Sequence, residues 1–92
     1  MKYQVQPTSK YRKDRKRLIR RGLDMTKLDA VIKKLANGEK LEPKYRDHAL
    51  AGSFKNYRDC HIEPDWVLIY KIDNDQLILV LSETGSHADL LE

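Results

Sequence analysis

Between Trp66 and Ile72 six of seven residues are apolar, interrupted only by Lys71, and turn-forming residues close the run at Pro64-Asp65 and Asp73-Asn74-Asp75. A run this short, rich in β-branched and aromatic residues and bounded by turns, reads as a central strand with partners on either side. The neighbouring segments supply them. Phe54 to Glu63 alternates, with Arg58, Cys60 and Ile62 on one face and Tyr57, Asp59 and His61 on the other, and Gln76 to Leu81 is a further apolar stretch. Turns this tight predict an antiparallel meander of three strands.

The first half of the chain follows another period. Leu28, Val31, Ile32 and Leu35 fall at i, i+3, i+4 and i+7, with Asp24 or Thr26 as N-cap and Asn37-Gly38 as stop, which predicts a helix. An earlier helix starts at a Ser9 cap and runs through Tyr11, Leu18 and Ile19 to Gly22. The two are expected to form an antiparallel hairpin. Tyr3 and Val5 alternate with polar neighbours before Pro7, the pattern of a short strand at or near a sheet edge. From Glu39 to Gly52 no period survives, so His48 is expected in a connecting loop.

Strand, two helices, then three strands predict an α+β domain spanning residues 1–92, with an N-terminal strand and helical hairpin packed on one face of a twisted antiparallel sheet. The other face is expected to lie open. Strand parity then points Cys60 and Ile62 at the helices, and Asp59 and His61 at the open face.

Charge divides the chain. Residues 1–46 carry 15 Lys/Arg against 5 Asp/Glu, whereas residues 47–92 carry 3 against 9. The basic half suits RNA, DNA or an acidic protein, with a merely solvated face as the plainer reading. Within it Lys13, Arg17 and Arg21 recur every four residues along one helical face. A lone cysteine, Cys60, makes no internal disulfide and reads as a small core residue of a cytoplasmic protein. No apolar run approaches the roughly 20 residues that span a bilayer, and no signal-peptide stretch opens the chain.

Residues able to do chemistry cluster in the acidic half. His48, His61 and His87 stand among Asp47, Asp59 and Asp65, and imidazoles beside carboxylates can exchange protons during a reaction. Zinc binding is a competing reading, but the chain has no HxH, HxxxH or cysteine pair to prearrange ligands. A Cys60 nucleophile served by His61 is disfavoured because adjacent strand residues face opposite ways. For any one histidine, a surface or satisfied core imidazole remains the simplest account.

The stretches Asp47-His48-Ala49-Leu50-Ala51-Gly52, Tyr57 through Tyr70 and Thr84-Gly85-Ser86-His87 together resemble the YafQ branch of the RelE-like toxins, over nearly the whole chain and in the same order and spacing. The resemblance implies a microbial RNase-like fold and the toxin half of a bacterial toxin–antitoxin pair. Its implied activity is metal-free cleavage of messenger RNA in the ribosomal A site, with no cofactor. The partners it implies are a cognate antitoxin, ribosomal RNA and the messenger, with operator DNA reached only through the antitoxin. His48, Asp59, His61, Asp65 and His87 match the branch's activity-associated positions. They suggest His48 as general base, His87 as general acid, His61 on the phosphate, and Asp59 and Asp65 orienting imidazoles or favouring their charged form. Lys13, Arg17, Arg20 and Arg21 are then candidates for ribosomal RNA phosphates.

The branch commonly ends in an aromatic, usually phenylalanine, four residues after the last histidine. This chain has Leu91 there, which offers apolar contact in place of stacking worth roughly 1–3 kcal/mol. Two other functions belong to related folds: inhibition of DNA gyrase through protein contact, and an inactive, antitoxin-bound corepressor.

Overall fold

The computed structural model describes residues 1–90. Five strands form one sheet in the order β1-β5-β4-β3-β2, where β1 is Gln4–Pro7, β2 His48–Ala49, β3 Arg58–Glu63, β4 Trp66–Asp73 and β5 Ile78–Gly85. Helices α1, Ser9–Arg20, and α2, Met25–Ala36, follow β1, and a short α3, His87–Leu90, follows β5. The α+β class and the central place of the Trp66 strand are as the sequence predicts. β4 is buried from Trp66 to Tyr70 and pairs antiparallel with β3 and β5.

The sheet is mixed, not wholly antiparallel. β1 pairs parallel with β5, from Gln4 opposite Ile78 to Pro7 opposite Leu81. It occupies the sheet edge, where Pro7 removes no hydrogen bond from a second neighbour.

Several boundaries differ from the expectation. Thr8, not Ser9, caps α1: its backbone is extended, and its hydroxyl accepts from the Tyr11 N–H at 3.1 Å while donating to the Ser82 carbonyl at 2.8 Å. Ser9 is already helical. Gly22, with φ at +84°, lets the Gly22 and Leu23 N–H groups turn back onto the Ile19 and Leu18 carbonyls, closing α1 with paired bonds. Asp24 caps α2 by accepting from the Thr26 N–H at 2.9 Å. β3 begins at Arg58 because residues 52–54 form a 3-10 turn and Asn56 takes a left-handed φ of 75°. β5 extends past Leu81 to Gly85, and His48 lies not in a loop but on the two-residue β2.

α1 lies against β5 and α2 against β3, and Arg15 of α1 forks onto Asp29 of α2 at 2.7 and 3.0 Å. Leu18, Leu28, Val31 and Leu35 meet Cys60, Ile62, Leu68 and Leu79 in the main core. Burying each large aliphatic side chain there stabilises the fold by about 1.5–3 kcal/mol. Burial also raises the Cys60 thiol's pKa, consistent with its expected core place and unsuited to a nucleophile.

The opposite face is less open than expected. Val67, Ile69 and Leu90 form a second small core with Leu50, Phe54 and Tyr57, so the segment leading into β3 and the terminal helix roof part of it. Parity holds for Asp59 and His61, which point away from the helices. Asp59 is nevertheless buried, while His61 is half-buried at the margin of that roof.

Candidate active site

Register explains why histidines far apart in sequence come together. His48 on β2 lies opposite Asp59 on β3. Val67 on β4 pairs with His61 on one side and with Gly85 on the other, two residues before His87. Asp65 sits in the β3–β4 turn beside them. All five residues singled out for chemistry therefore surround one patch at the end of the sheet.

The geometry fixes how two of the imidazoles are held. His48 Nδ1 lies 2.8 Å from the Arg46 carbonyl oxygen. A carbonyl only accepts, so Nδ1 carries the hydrogen and Nε2 of the neutral ring keeps its lone pair. His61 Nδ1 stands 3.1 Å from the Pro64 carbonyl, which imposes the same tautomer. The rings of His61 and His87 are 5.1 Å apart between centroids. His87 directs Nδ1 at Asp65 Oδ1, 3.5 Å away, and its backbone N–H points at the same oxygen from 3.4 Å.

Asp59 is the buried member, only 2% exposed, whereas His48 beside it is 54% exposed. Its Oδ1 lies 3.1 Å from His48 Nδ1 yet accepts no hydrogen bond, because that N–H is directed to Arg46. The contact is thus a charge contact. Burial raises the Asp59 pKa, and the nearby His48, His61 and His87 oppose that rise in this order. Among the described residues no three His, Cys, Asp or Glu side chains are grouped as metal ligands would be.

Further residues hold the patch in place. Asp47 receives Arg58 Nε and Nη2 at 3.3 and 3.2 Å and the Tyr70 hydroxyl as well, which pins the residue before His48. Arg58 thus lies at the rim of the core and not inside it. Ser86 and Asp89 cap α3 reciprocally: Asp89 N–H donates to Ser86 Oγ at 3.2 Å, and Ser86 N–H to Asp89 Oδ2 at 3.1 Å. A Cβ on Gly85 would come within 3.1 Å of that same Oδ2, so any other residue there would push the capping carboxylate aside by a few tenths of an ångström. The Ser-x-x-Asp spacing was a readable capping signal; the Asp47 cluster had only the Asp47-His48 adjacency to announce it.

The basic helix is partly committed elsewhere. Arg21 Nη1 binds Asp89 at 3.0 Å, and Arg17 Nη2 lies 3.1 Å from buried Asp14 and 4.0 Å from Asp89. Asp14, the lone acid among those bases, also receives Lys10 and the Thr84 N–H. Among the described residues Lys13 and Arg20 are exposed and have no carboxylate partner. Leu91 lies outside the described residues.

A sequence profile for the bacterial toxin of type II toxin–antitoxin system, YafQ, matches residues 3–92. The mRNA interferase toxin YafQ of Escherichia coli K12 is 42% identical over 87 residues, covering 94% of this chain and 92% of that protein. The crystal structure of YafQ from E. coli BL21(DE3) superposes with a TM-score of 0.92 at 37% identity, covering 98% of this chain and 99% of that one. In the E. coli DinJ-YafQ toxin-antitoxin complex the similar chain gives a TM-score of 0.90 at 40% identity over the full length of both. No helix among the described residues is long and apolar enough to cross a membrane.

Proposed function

The chain belongs to the YafQ toxins of bacterial type II toxin–antitoxin systems, and we propose that it halts translation by cutting messenger RNA in the ribosomal A site. It is an endoribonuclease of the mRNA interferase kind. The observation that carries the mechanistic reading is the pairing of His48 with buried Asp59 at 3.1 Å at the same end of the sheet as the His61 and His87 rings, 5.1 Å apart beside Asp65.

The chemistry is a transesterification that needs no resident metal. His48 Nε2, left with its lone pair by the Arg46 carbonyl, takes the proton of the ribose 2′-OH. The freed oxygen attacks the adjacent phosphorus, the bond from phosphorus to the 5′ oxygen breaks, and a 2′,3′-cyclic phosphate remains. His87, in its protonated form and facing Asp65 through Nδ1, delivers a proton from Nε2 to the departing 5′ oxygen. His61, beside His87, offers its charge to the phosphorane oxygens. Asp59, 3.1 Å from His48 Nδ1, favours the charged form of that ring as it takes up the proton, and Asp65 does the same for His87. A cognate antitoxin, acidic where it meets the basic helices, completes the cytoplasmic system, and any operator DNA is reached through it.

His87→Ala tests the assignment on programmed ribosomes. Cleavage is expected to fall about 100- to 10,000-fold while ribosome binding stays near that of the unaltered protein. Equal loss of both, or undiminished cleavage, rejects His87 as the acid. Absence of any cleavage by the unaltered protein would favour action through protein contact or corepression.

A further inference from the structure

β2 covers only Arg58 and Asp59 of β3, so among the described residues the outer edge of β3 from His61 onward has no strand partner. The chain before β2 would continue that pairing if it ran straight. Instead residues 43–45 coil into a 3-10 turn and Arg46 takes a left-handed φ of 48°, which carries the segment away from the edge. A cleft of about 620 Å³ is left between this turn, the His61–Pro64 end of β3 and the outer side of α2.

The cleft is joined to the candidate active site through backbone. The carbonyls that orient His48 and His61 belong to Arg46 and Pro64, and both residues line the cleft. His61 lines it as well. Among the five residues of the candidate active site His61 is the one that also borders the cleft, at the end of β3 where the two meet.

The lining suits a nucleotide. Tyr45 presents a half-buried ring with Lys44 Nζ 5.2 Å from its centroid, beside the apolar Ile62 and Ala30. Lys44 and Arg46 have no carboxylate partner among the described residues, whereas the cleft's own acid, Glu63, is neutralised by Lys27 at 2.5 Å. Basic rim and aromatic wall are the two parts by which proteins hold a single-stranded nucleotide, and the volume lies within the range of small-ligand pockets.

We propose that the cleft between the Lys44–Arg46 turn, β3 and α2 is a nucleotide subsite that takes the residue flanking the scissile phosphate, its base against Tyr45 and its phosphate against Lys44 and Arg46. The proposal rests on the nuclease reading and adds a positional hold on the messenger that the three imidazoles do not provide.

Two coupled cycles on programmed ribosomes test it. Messages carrying one abasic nucleotide at each position flanking the cut are cleaved by the unaltered protein and by Tyr45→Ala. At one position, removing the base and removing the ring are each expected to lower kcat/KM about tenfold, and to lower it no further together. Arg46→Gln, at an exposed site, is paired in the same way with a methylphosphonate at the flanking linkage, which keeps the test alive if Tyr45→Ala does not fold. Additive losses at every position in both cycles overturn the subsite. Loss of antitoxin binding with additive cycles overturns it too, and assigns the cleft to the antitoxin. If the unaltered protein cuts no message, the nuclease reading falls and takes the subsite with it; if it cuts and the cycles are additive, the subsite alone falls.

Discussion

Asp59 illustrates at the scale of one residue how a site can weaken the fold that carries it. Its carboxylate is buried, one oxygen accepts no hydrogen bond, and burial raises its pKa. A carboxyl whose folded pKa is raised above its unfolded value favours the native state below the unfolded value, near pH 4, and loses that contribution as pH rises through the folded value. Asp59→Asn removes the charge and keeps the shape. The variant is expected to match the parent in strong acid and to exceed it increasingly above about pH 4, by about 1 kcal/mol or roughly 4–8 °C in Tm at neutrality. Cleavage by the same variant should fall at least about tenfold. Thermal unfolding across pH, set beside cleavage rates, checks both; a variant less stable than the parent at neutral pH would show that the imidazoles already stabilise the ionised form fully.

Among the elements, α3 has the least structure of its own and carries the proposed acid at its first residue, His87. Four residues do not sustain a helix in water, so its position depends on the Ser86–Asp89 cap and on Arg21 and Arg17 reaching across from α1. Arg21 holds the Asp89 carboxyl down at about 2. A depressed carboxyl lends stability above its unfolded value, near pH 4, and loses it as pH falls toward 2, so the Tm difference between parent and Asp89→Asn should close over that window. Asp89→Asn keeps a capping oxygen and is expected to lower kcat only a few-fold, whereas Asp89→Ala, losing cap and ion pairs, should lower it about tenfold with KM little changed. Equal kcat in all three proteins would free α3 from α1. These short elements were also the illegible ones. The Trp66 strand, the α2 stripe and the opposed parity of Cys60 and Asp59 could be read because each is written in a local period. β2, α3 and the turn before Arg46 exist through tertiary contacts, so His48 was expected in a loop and the roof over Asp59 was not foreseen.

Across the whole molecule the basic half divides into paired and unpaired residues that the sequence merged into one group. Lys13, Arg17, Arg20 and Arg21 all read as candidates for RNA phosphate, yet Arg17 and Arg21 are bound to Asp14 and Asp89, while Lys13 and Arg20 stand exposed. Reversing Lys13 and Arg20 to Glu is expected to weaken ribosome binding and to flatten the slope of log K against log salt by roughly 1.5, leaving cleavage of bound message near normal. A salt titration of ribosome binding decides this, and an unchanged slope would remove both residues from the RNA surface. The parallel seam between β1 and β5 has a consequence in time. Gln4 cannot find Ile78 until all of the intervening chain has been synthesised, and His87 follows later still. Pairings this distant close slowly, because the loop entropy falls due before any contact rewards it. Until both strands of that seam have emerged and paired, the imidazole cluster is unassembled, which leaves a kinetic interval in which the proposed cleavage site does not yet exist.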